Sequence, residues 1–516
     1  DGRYGFRLTA MKPFGDMRYT FMGNANNVND RNFSGRGGRG RGNNNGQRET
    51  KTGALDISYE NQKNLKLSGR VTWNHADADN WNRTGSENFV LSSRGGGAFS
   101  NSISQNYSRS NSWNMSGRLE WKPDTMTTIQ LRPSFSTSKN DSRSQSLNAS
   151  FNKDPYSLAD DIDPMDDAVM QAYNKAIYDS SFGADSLLIN RRENSALSYG
   201  TSTQFNVNAT VNRRLTSRGN SLTFQGRYST SNSDSESLST QQVTLYRPST
   251  ADSIYYKNRY NVTPSKNWNF QTSLSYTERL SKYSFLVLKY LYRYSNRTSD
   301  RSTYDFSDNI YDSTGRLIFS PTDFMNQFSG IPAYRSFSDY LYGYQPLNSS
   351  SMFYSKDQSR YSEYDNYTHE IELTWRRTTN NYNLNLGFLV QPQSQKLTYQ
   401  YLNIDTVAKR SVTNVTPTLD FRYRFNKQKS LRLNYRGNTD QPSMTDLLPI
   451  TDDTDPLNIT MGNPYLKPSF TQTFSLRYNN YVQSHFSSVM AFINYSNTSN
   501  SVSNMVPYDE KTGGRT

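Results

Sequence analysis

Cysteine is absent from this sequence of 516 residues, and histidine occurs only three times. Without cysteine, a disulfide scaffold, thiolate metal ligands and cysteine catalysis are excluded. The histidines, His75, His369 and His485, stand far apart, and no catalytic triad, metal-ligand spacing or phosphate-binding loop accompanies them. We therefore expect no enzyme activity, no bound metal and no cofactor.

Apolar residues are also scarce: they make up 33% of the chain, and the mean hydropathy is −0.88. In a soluble globular protein, apolar residues make up about 45–50% of the chain when glycine is counted among them. The longest strongly apolar stretch is residues 285–288, far short of the roughly 18–20 residues of a membrane helix. A membrane protein of this composition must cross with strands, because only helices and closed barrels satisfy the backbone in lipid.

Aromatic residues, in contrast, are abundant, with 38 Tyr, 26 Phe and 6 Trp. This abundance argues against a disordered chain, because disordered chains are poor in aromatics. Many aromatics together with few aliphatics are typical of a barrel that is polar inside, apolar in an outer band and aromatic at its rims.

Apolar and polar residues alternate with a period of two, the pattern of a strand with one apolar face. For example, Leu65, Leu67 and Trp73 share one face, and Lys66 and Arg70 share the other. The same pattern predicts eight hairpins, at about residues 3–26, 55–74, 113–135, 205–228, 268–294, 371–388, 415–435 and 470–495. About sixteen strands follow, most of them with roughly the 10–13 residues that a tilted strand needs to cross a bilayer.

The predicted connections are asymmetric. Turns within hairpins are short, as at residues 122–125, whereas the connections between hairpins are long: 27–51, 77–111, 139–200, 232–266, 298–364, 392–412 and 439–467. Outer-membrane barrels have short periplasmic turns and long extracellular loops. We therefore predict an all-β fold, in which residues 1–516 form part of one transmembrane antiparallel β-barrel.

Two stretches resemble a known family. Residues 24–34 resemble the asparagine-rich first loop of barrels in the TonB-dependent receptor superfamily. Residues 455–468 resemble the "GNP-x-LKPE" signature of these barrels, including relatives of SusC, and the matching positions are Gly462, Asn463, Pro464, Leu466, Lys467 and Pro468. Ser469 stands where the family usually has Glu. The motif residues are expected to have a structural role.

This resemblance implies a 22-stranded barrel with a plugged lumen. The family's first barrel strand ascends, whereas the first strand here descends to a short turn at residues 13–16. One strand is then expected upstream and five downstream, because 1 + 16 + 5 = 22. The family's plug and its TonB-contacting segment precede the barrel, so we expect both to lie outside this chain.

The resemblance also implies a function: TonB-dependent uptake of a nutrient such as an oligosaccharide, a peptide or a siderophore. The expected partners are TonB, through the absent N-terminal region, and a surface lipoprotein. Two alternatives remain open at this point, namely a passive porin and a surface adhesin or scaffold barrel without a transport role.

The segment 330–367 is rich in tyrosine, and it contains the candidate ligand-binding residues Tyr340, Tyr342 and Tyr344. Aromatic rings at a receptor mouth can stack on sugars or hold a siderophore. The alternative is that these rings pack the loop against the rest of the protein.

An acidic run precedes a helical pattern in the third long connection. Asp163 suits an N-cap, Pro164 suits the first helical position, and Asp166 suits the positive end of the helix dipole. We predict a short helix at about residues 164–178 whose apolar stripe packs on neighbouring loops. The competing interpretation, a cation site, lacks EF-hand spacing.

The net charge is +13. Residues 34–43 form an arginine-glycine segment that we interpret as a basic surface loop touching lipopolysaccharide, and not as a nucleic-acid site. Seven arginines fall on the predicted inner face: Arg70, Arg118, Arg132, Arg227, Arg422, Arg432 and Arg436. We expect them to pair with acidic groups rather than to select anionic ligands. Outer-membrane lipid and lipopolysaccharide are the expected surroundings.

Overall fold

The structure is a computed structural model. It describes residues 2–27, 46–61, 64–88, 99–151, 154–157, 163, 165–166, 188–246, 253–329, 353–401, 404–440, 442, 446–447, 451–455, 458–463 and 465–503. Within this described part of the chain, no helix has the length and the apolar content that crossing a membrane requires.

Strands account for most of the described residues. In chain order they are β1 (Gly5–Phe14), β2 (Met17–Asn26), β3 (Gln47–Glu60), β4 (Leu65–Glu87), β5 (Phe99–Trp121), β6 (Thr127–Phe151), β7 (Leu188–Arg214), β8 (Ser221–Leu245), β9 (Ser253–Ser281), β10 (Ser284–Asp305), β11 (Ile310–Tyr311), β12 (Leu317–Phe319), β13 (Arg360–Thr378), β14 (Tyr382–Tyr401), β15 (Ile404–Arg424), β16 (Lys429–Asp440), β17 (Thr451–Asp455), β18 (Asn458–Met461), β19 (Ser469–Val482) and β20 (Ser487–Ser499). The helix α1 spans Pro321–Ser329, and short 3-10 turns lie at Pro155–Ser157 and Gln483–His485.

Sixteen of these strands form one antiparallel sheet, in the order β1 to β10, β13 to β16, β19 and β20. Each strand pairs with the next barrel strand along the chain, which confirms the predicted succession of hairpins. The first hairpin turns at Gly15, whose φ of 58° lies in the left-handed region that glycine adopts without a steric penalty. Over the described residues β1 and β20 are not paired with each other, so the sheet is open.

The predicted alternation of faces is confirmed along the sheet. Leu288 of β10, Leu373 of β13 and Phe388 of β14 lie directly opposite one another in the register. They are 50%, 45% and 51% exposed, so they do not form a protein core. Because residues two apart share a face, the row extends along each strand as an apolar band. We call this side of the sheet the band face and the opposite side the lumen face.

The predicted lengths of the long connections are wrong in several places. Residues 77–87 and 99–111 belong to β4 and β5, and residues 139–151 and 188–200 of the predicted 139–200 connection belong to β6 and β7. These strand ends carry Ser, Asn and Thr on both faces, so no apolar alternation marks them. The ladder continues nevertheless, because pairing with a neighbour satisfies the backbone whatever the side chains are.

The connection predicted at residues 392–412 is almost entirely strand. β14 runs to Tyr401 and β15 begins at Ile404, so only two residues separate the strands. The asymmetry between the two ends of the sheet still holds elsewhere, since 152–187, 306–359 and 441–468 are long connections between barrel strands. We call this end of the sheet the long-loop end.

Two of the long connections pack against the band face, beyond the apolar band. Phe306, in the connection that follows β10, stacks on Phe324 at 4.4 Å and on Phe353 at 4.6 Å, and this group packs with Leu197 of β7. Leu197 shares its face with Phe205, because the two residues are an even number of positions apart.

The predicted helix at residues 164–178 lies almost entirely outside the described residues. At the predicted start of this helix, Asp163 accepts a hydrogen bond of 2.9 Å from the Met165 amide, and it also pairs with Arg83. Met165 is buried against Phe151 and Leu188. Met165 therefore packs against the ends of β6 and β7.

Candidate functional site

The predicted ligand-binding residues Tyr340, Tyr342 and Tyr344 lie outside the described residues. Other tyrosines of the same segment are distributed over both faces of the sheet. Tyr367 pairs with Tyr294 on the band face, and Tyr364 lies on the lumen face opposite Leu397. The described tyrosines of this segment therefore do not form one continuous aromatic surface.

The family motif forms a turn that leads into β19. The Asn463 side-chain oxygen accepts a hydrogen bond of 2.9 Å from the Tyr465 amide, and the Asn463 amide donates to the Asp446 carbonyl at 2.6 Å. Pro468 is followed directly by the first residue of β19. Of the predicted motif, Gly462, Asn463, Leu466, Lys467 and Pro468 are described, whereas Pro464 is not.

Polar side chains on the lumen face form a continuous series across five strands, which we call the lumen ladder: Gln271, Arg293, Glu370, Gln391 and Asn414. Arg293 donates to Gln271 at 3.2 Å and contacts Glu370 at 3.6 Å. Gln391 donates to Glu370 at 3.1 Å, and Asn414 donates to Gln391 at 3.5 Å. The ladder therefore fixes the side chains of β9, β10, β13, β14 and β15 at one level.

The register explains why these residues meet. Each lies an odd number of positions from the band-face residues of its own strand, as Glu370 does from Leu373 and Gln391 does from Phe388. Neighbouring strands bring such residues to within reach of one another on the same face. The result is a polar surface on the side of the sheet opposite the band.

Charged pairs extend this polar surface toward the short turns. Lys289 contacts Glu372 at 3.4 Å, one step from the ladder. The expectation that inner arginines pair with acidic groups is confirmed for Arg70 with Asp56, for Arg118 with Glu120 and for Arg432 with Asp420. Among the described residues, it is not confirmed for the other four, namely Arg132, Arg227, Arg422 and Arg436.

Toward the long-loop end, the ladder is followed by a group that we call the mouth site: Tyr364, Gln395, Leu397, Tyr399 and Arg410. Gln395 is 6% exposed, Leu397 2% and Tyr399 4%. Gln395 lies directly opposite Arg410 in the β14–β15 register, and Leu397 lies directly opposite Tyr364 in the β13–β14 register. These residues therefore form one compact patch on three adjacent strands.

Polar atoms of the mouth site lack hydrogen-bond partners in the described structure. Both Oε1 of Gln395 and Nη1 of Arg410 are buried and unpartnered. Burial also raises the pKa of Tyr364 to about 12, against the opposing effect of the Arg410 guanidinium. Tyr364 lies beyond the apolar band, so its hydroxyl stays neutral and able to donate at physiological pH.

Further apolar and aromatic side chains pack around the mouth site. Leu397 and Tyr399 pack with Tyr364, Tyr401 and Leu447. Leu447 comes from the same long connection that carries the family motif, so this connection reaches the lumen face. A patch of unpartnered polar atoms beside aromatic rings has the composition of a small-ligand site.

Sequence reasoning missed both the lumen ladder and the mouth site. The inner arginines that it identified do not include Arg293 or Arg410. Both residues can be assigned to the lumen face by the same two-residue alternation, once the strands are extended beyond the apolar band. The remaining ladder residues are mostly neutral amides, which are equally common in loops and give no sequence signal.

The three histidines are not members of the mouth site. His75 bonds to Asn111 at 2.7 Å, and His369 bonds to the Tyr290 hydroxyl at 2.8 Å. Across the part of the chain that the structure describes, no group of three or more acidic or histidine side chains is arranged to hold a metal ion.

One protein family and several solved structures are similar to the chain. Residues 332–515 match the family described as outer membrane protein beta-barrel family. The ferric-catecholate import receptor Fiu from E. coli K12 is similar at 9% identity, with a TM-score of 0.35, over 95% of this chain and 79% of that chain. The siderophore receptor PiuA from Acinetobacter baumannii is similar at 9% identity, with a TM-score of 0.34, over 93% of this chain and 75% of that chain.

The RagAB peptide importer is also similar, at 8% identity and a TM-score of 0.27, over 98% of this chain and 73% of that chain. No curated protein sequence matches the chain. The family match and the sixteen-stranded antiparallel sheet confirm the expected fold and location. The chain is part of a β-barrel of the outer membrane.

Proposed function

We propose that this barrel is an energised transporter that binds a nutrient at the mouth site and imports it along the lumen face. The observation that carries the proposal is the pair of unpartnered buried atoms on Gln395 and Arg410, next to the lumen ladder. An unsatisfied buried polar atom costs about 1–3 kcal/mol. On this proposal, the nutrient is the partner that supplies the missing hydrogen bonds.

The lumen ladder supports a role in passage rather than in adhesion alone. Its members satisfy one another, so the surface below the mouth site is polar without offering a second deep binding site. A ligand released from the mouth site meets side chains that are already hydrogen-bonded. In the mouth site, two unpartnered polar atoms belong to residues of neighbouring strands that lie directly opposite each other, and this arrangement favours a binding role over a scaffold alone.

Energy coupling is proposed from the motif at residues 462–468, which resembles that of TonB-dependent barrels. On this proposal TonB contacts a region outside this chain, and a surface lipoprotein covers the long-loop end. Tyr340, Tyr342 and Tyr344 are proposed as further ligand contacts. Their connection joins β10 and β13, the strands that carry Arg293 and Tyr364.

Growth of the native host on a panel of sole nutrients tests the proposal. We compare a strain lacking this protein with a strain lacking TonB. Both strains are expected to lose growth on the same nutrient at limiting concentration, and the wild-type gene is expected to restore it in the first strain. A nutrient whose uptake needs this protein but not TonB would indicate a porin. If loss of the protein affects adhesion and no nutrient, the scaffold alternative is correct.

A further inference from the structure

We infer that the mouth site binds a carboxylate of the nutrient, together with an N–H or O–H group next to that carboxylate. The inference rests on the proposed function and names the chemical class of its ligand. Arg410 is the charge partner, and Gln395 accepts the hydrogen bond from the neighbouring donor.

The first argument is the absence of a charge partner for Arg410 among the described residues. Its lumen-facing neighbours on three strands are uncharged: Ala408, Val412, Gln393, Gln395, Leu397, Asn366 and Tyr364. The carboxylates in this part of the sheet interact with other residues. Glu370 is bound by Gln391 and Arg293 in the lumen ladder, and Asp365 accepts a hydrogen bond of 2.7 Å from Tyr294 on the band face.

The second argument is burial. The Arg410 Nη1 atom is inaccessible and has no hydrogen-bond acceptor in the described structure. Arg410 as a whole is partly exposed, so the unfavourable feature is this one N–H group, which is desolvated without a partner. The planar guanidinium fits a carboxylate through two parallel hydrogen bonds, a geometry that a neutral carbonyl does not reproduce. The occupant that best offsets the cost is therefore an anion of carboxylate shape.

The third argument is the Gln395 carboxamide, which is 6% exposed and has an unpartnered Oε1. Oε1 is an acceptor, so a carboxylate alone cannot satisfy it. Because Gln395 lies directly opposite Arg410, the donor must lie close to the carboxylate on the ligand. A peptide C-terminus supplies an amide N–H at this place, and a uronic acid supplies a ring hydroxyl.

The aromatic side chains fit the body of such a ligand. Tyr364 and Tyr399 belong to one cluster around the mouth site. Tyrosine rings provide flat apolar contact and retain a polar hydroxyl, which suits both sugar rings and peptide side chains. The shared chemistry is therefore a carboxylate with an adjacent donor, attached to a body that stacks.

Calorimetric titration of the full chain in detergent micelles tests the inference with two matched probe pairs. The first pair is N-acetyl-alanyl-alanyl-tyrosine and its C-terminal amide. The second pair is trigalacturonate and its methyl ester. One acid probe is expected to bind ~10- to 100-fold more tightly than its neutral counterpart, because only the acid forms a charge-assisted pair with Arg410. The pair that shows the difference distinguishes a peptide from a uronate ligand.

Two variants assign the effect to its residue. Arg410→Ala is expected to reduce the affinity for the acid probe to that for the neutral probe. Arg432→Ala removes the same charge from the lumen face, where Arg432 already pairs with Asp420, and it is expected to leave the affinity unchanged. Urea unfolding midpoints verify that both variants are folded.

The inference is overturned if the acid and neutral probes bind alike, if Arg410→Ala behaves as Arg432→Ala does, or if neither acid probe binds in the millimolar range. Failure of the proposed function is a separate result. An acid probe that binds through Arg410, in a protein whose uptake does not require TonB, supports the carboxylate site and contradicts energised transport.

Discussion

Gln391 of β14 donates a hydrogen bond of 3.1 Å to Glu370 of β13, and this contact joins the two halves of the lumen ladder. On one side of it, Glu370 is in contact with Arg293 of β10. On the other side, Gln391 accepts a hydrogen bond from Asn414 of β15. One carboxylate thus connects the polar side chains of four strands.

Glu370→Ala is expected to lower the free energy of unfolding by about 1–3 kcal/mol, because it leaves Arg293 and the Gln391 amide without their shared acceptor. Glu370→Gln keeps an acceptor oxygen and is expected to lose less. Urea unfolding in detergent micelles measures both variants. Equal stabilities for the two variants and the wild type would show that the ladder does not stabilise the sheet.

The sequence is sufficient to predict the hairpins and their two faces, and the reason is the apolar band. Leu373 on β13 and Phe388 on β14 each belong to a row of apolar residues with a period of two, because lipid requires apolar side chains on one side of the sheet. Beyond the band this requirement ends. The extended ends of β4 and β6 therefore look like loops in the sequence, although backbone pairing continues there.

The mouth site depends on information that the sequence pattern does not contain. Gln395 and Arg410 meet because β14 and β15 are joined by a two-residue connection, where the sequence suggested a long loop. With a long loop, Arg410 would be an ordinary surface residue. The site therefore follows from the register and not from a motif.

Gly387 provides a second stability prediction. A Cβ atom at this position would lie 2.3 Å from Thr418 Oγ1 and 3.2 Å from Thr374 Oγ1, since both threonines are its direct neighbours across the sheet. Gly387→Ala is expected to cost about 1–3 kcal/mol in unfolding free energy. Gly69→Ala is the matched control, because a Cβ at Gly69 has no atom within 4 Å.

Combining Gly387→Ala with Thr418→Ala is expected to restore most of that stability, since the second change removes the closest atom. Chemical unfolding of the single and double variants decides the point. If the single variant is as stable as Gly69→Ala, the close packing at this position has been misjudged.

Asp141, on β6 beyond the apolar band, predicts a pH dependence. Burial raises the pKa of its carboxyl, and one of its oxygens has no hydrogen-bond partner among the described residues. A raised pKa means that the folded state favours the protonated form, so ionised Asp141 destabilises the protein above this pKa. Asp141→Asn is expected to be more stable than wild type near about pH 7, and the difference is expected to disappear below about pH 3, where the carboxyl is protonated in both states.

Asp312 is the control, because the pKa of its carboxyl is shifted in the opposite direction. Hydrogen bonds from Thr314 and from the Arg316 amide lower the pKa of its carboxyl. Its stabilising effect is present at neutral pH and is lost as the pH falls through the lowered pKa. Asp312→Asn is thus expected to be less stable than wild type near about pH 7. Unfolding midpoints at both pH values test the two signs, and a matching sign for both variants would contradict the assignment.

The orientation of the sheet is open to a labelling test, because the chain has no cysteine of its own. Ser313 is exposed between β11 and β12 at the long-loop end, and Lys427 is exposed in the short turn between β15 and β16. With an impermeant maleimide, Ser313→Cys is expected to react in intact cells and Lys427→Cys only after permeabilisation. The reverse result would place the long loops in the periplasm.

The central claim is that the nutrient passes along the lumen face, and adjacent residues of β9 provide its most direct test. Ser275 faces the lumen, whereas Leu274 faces the lipid and is 47% exposed. The measurement is the initial uptake rate of the nutrient identified by the growth panel, taken before and after treatment of single-cysteine variants with a bulky water-soluble maleimide. We predict that labelled Ser275→Cys loses uptake, while Leu274→Cys keeps its rate after the same treatment. Full uptake by labelled Ser275→Cys would contradict passage along this face.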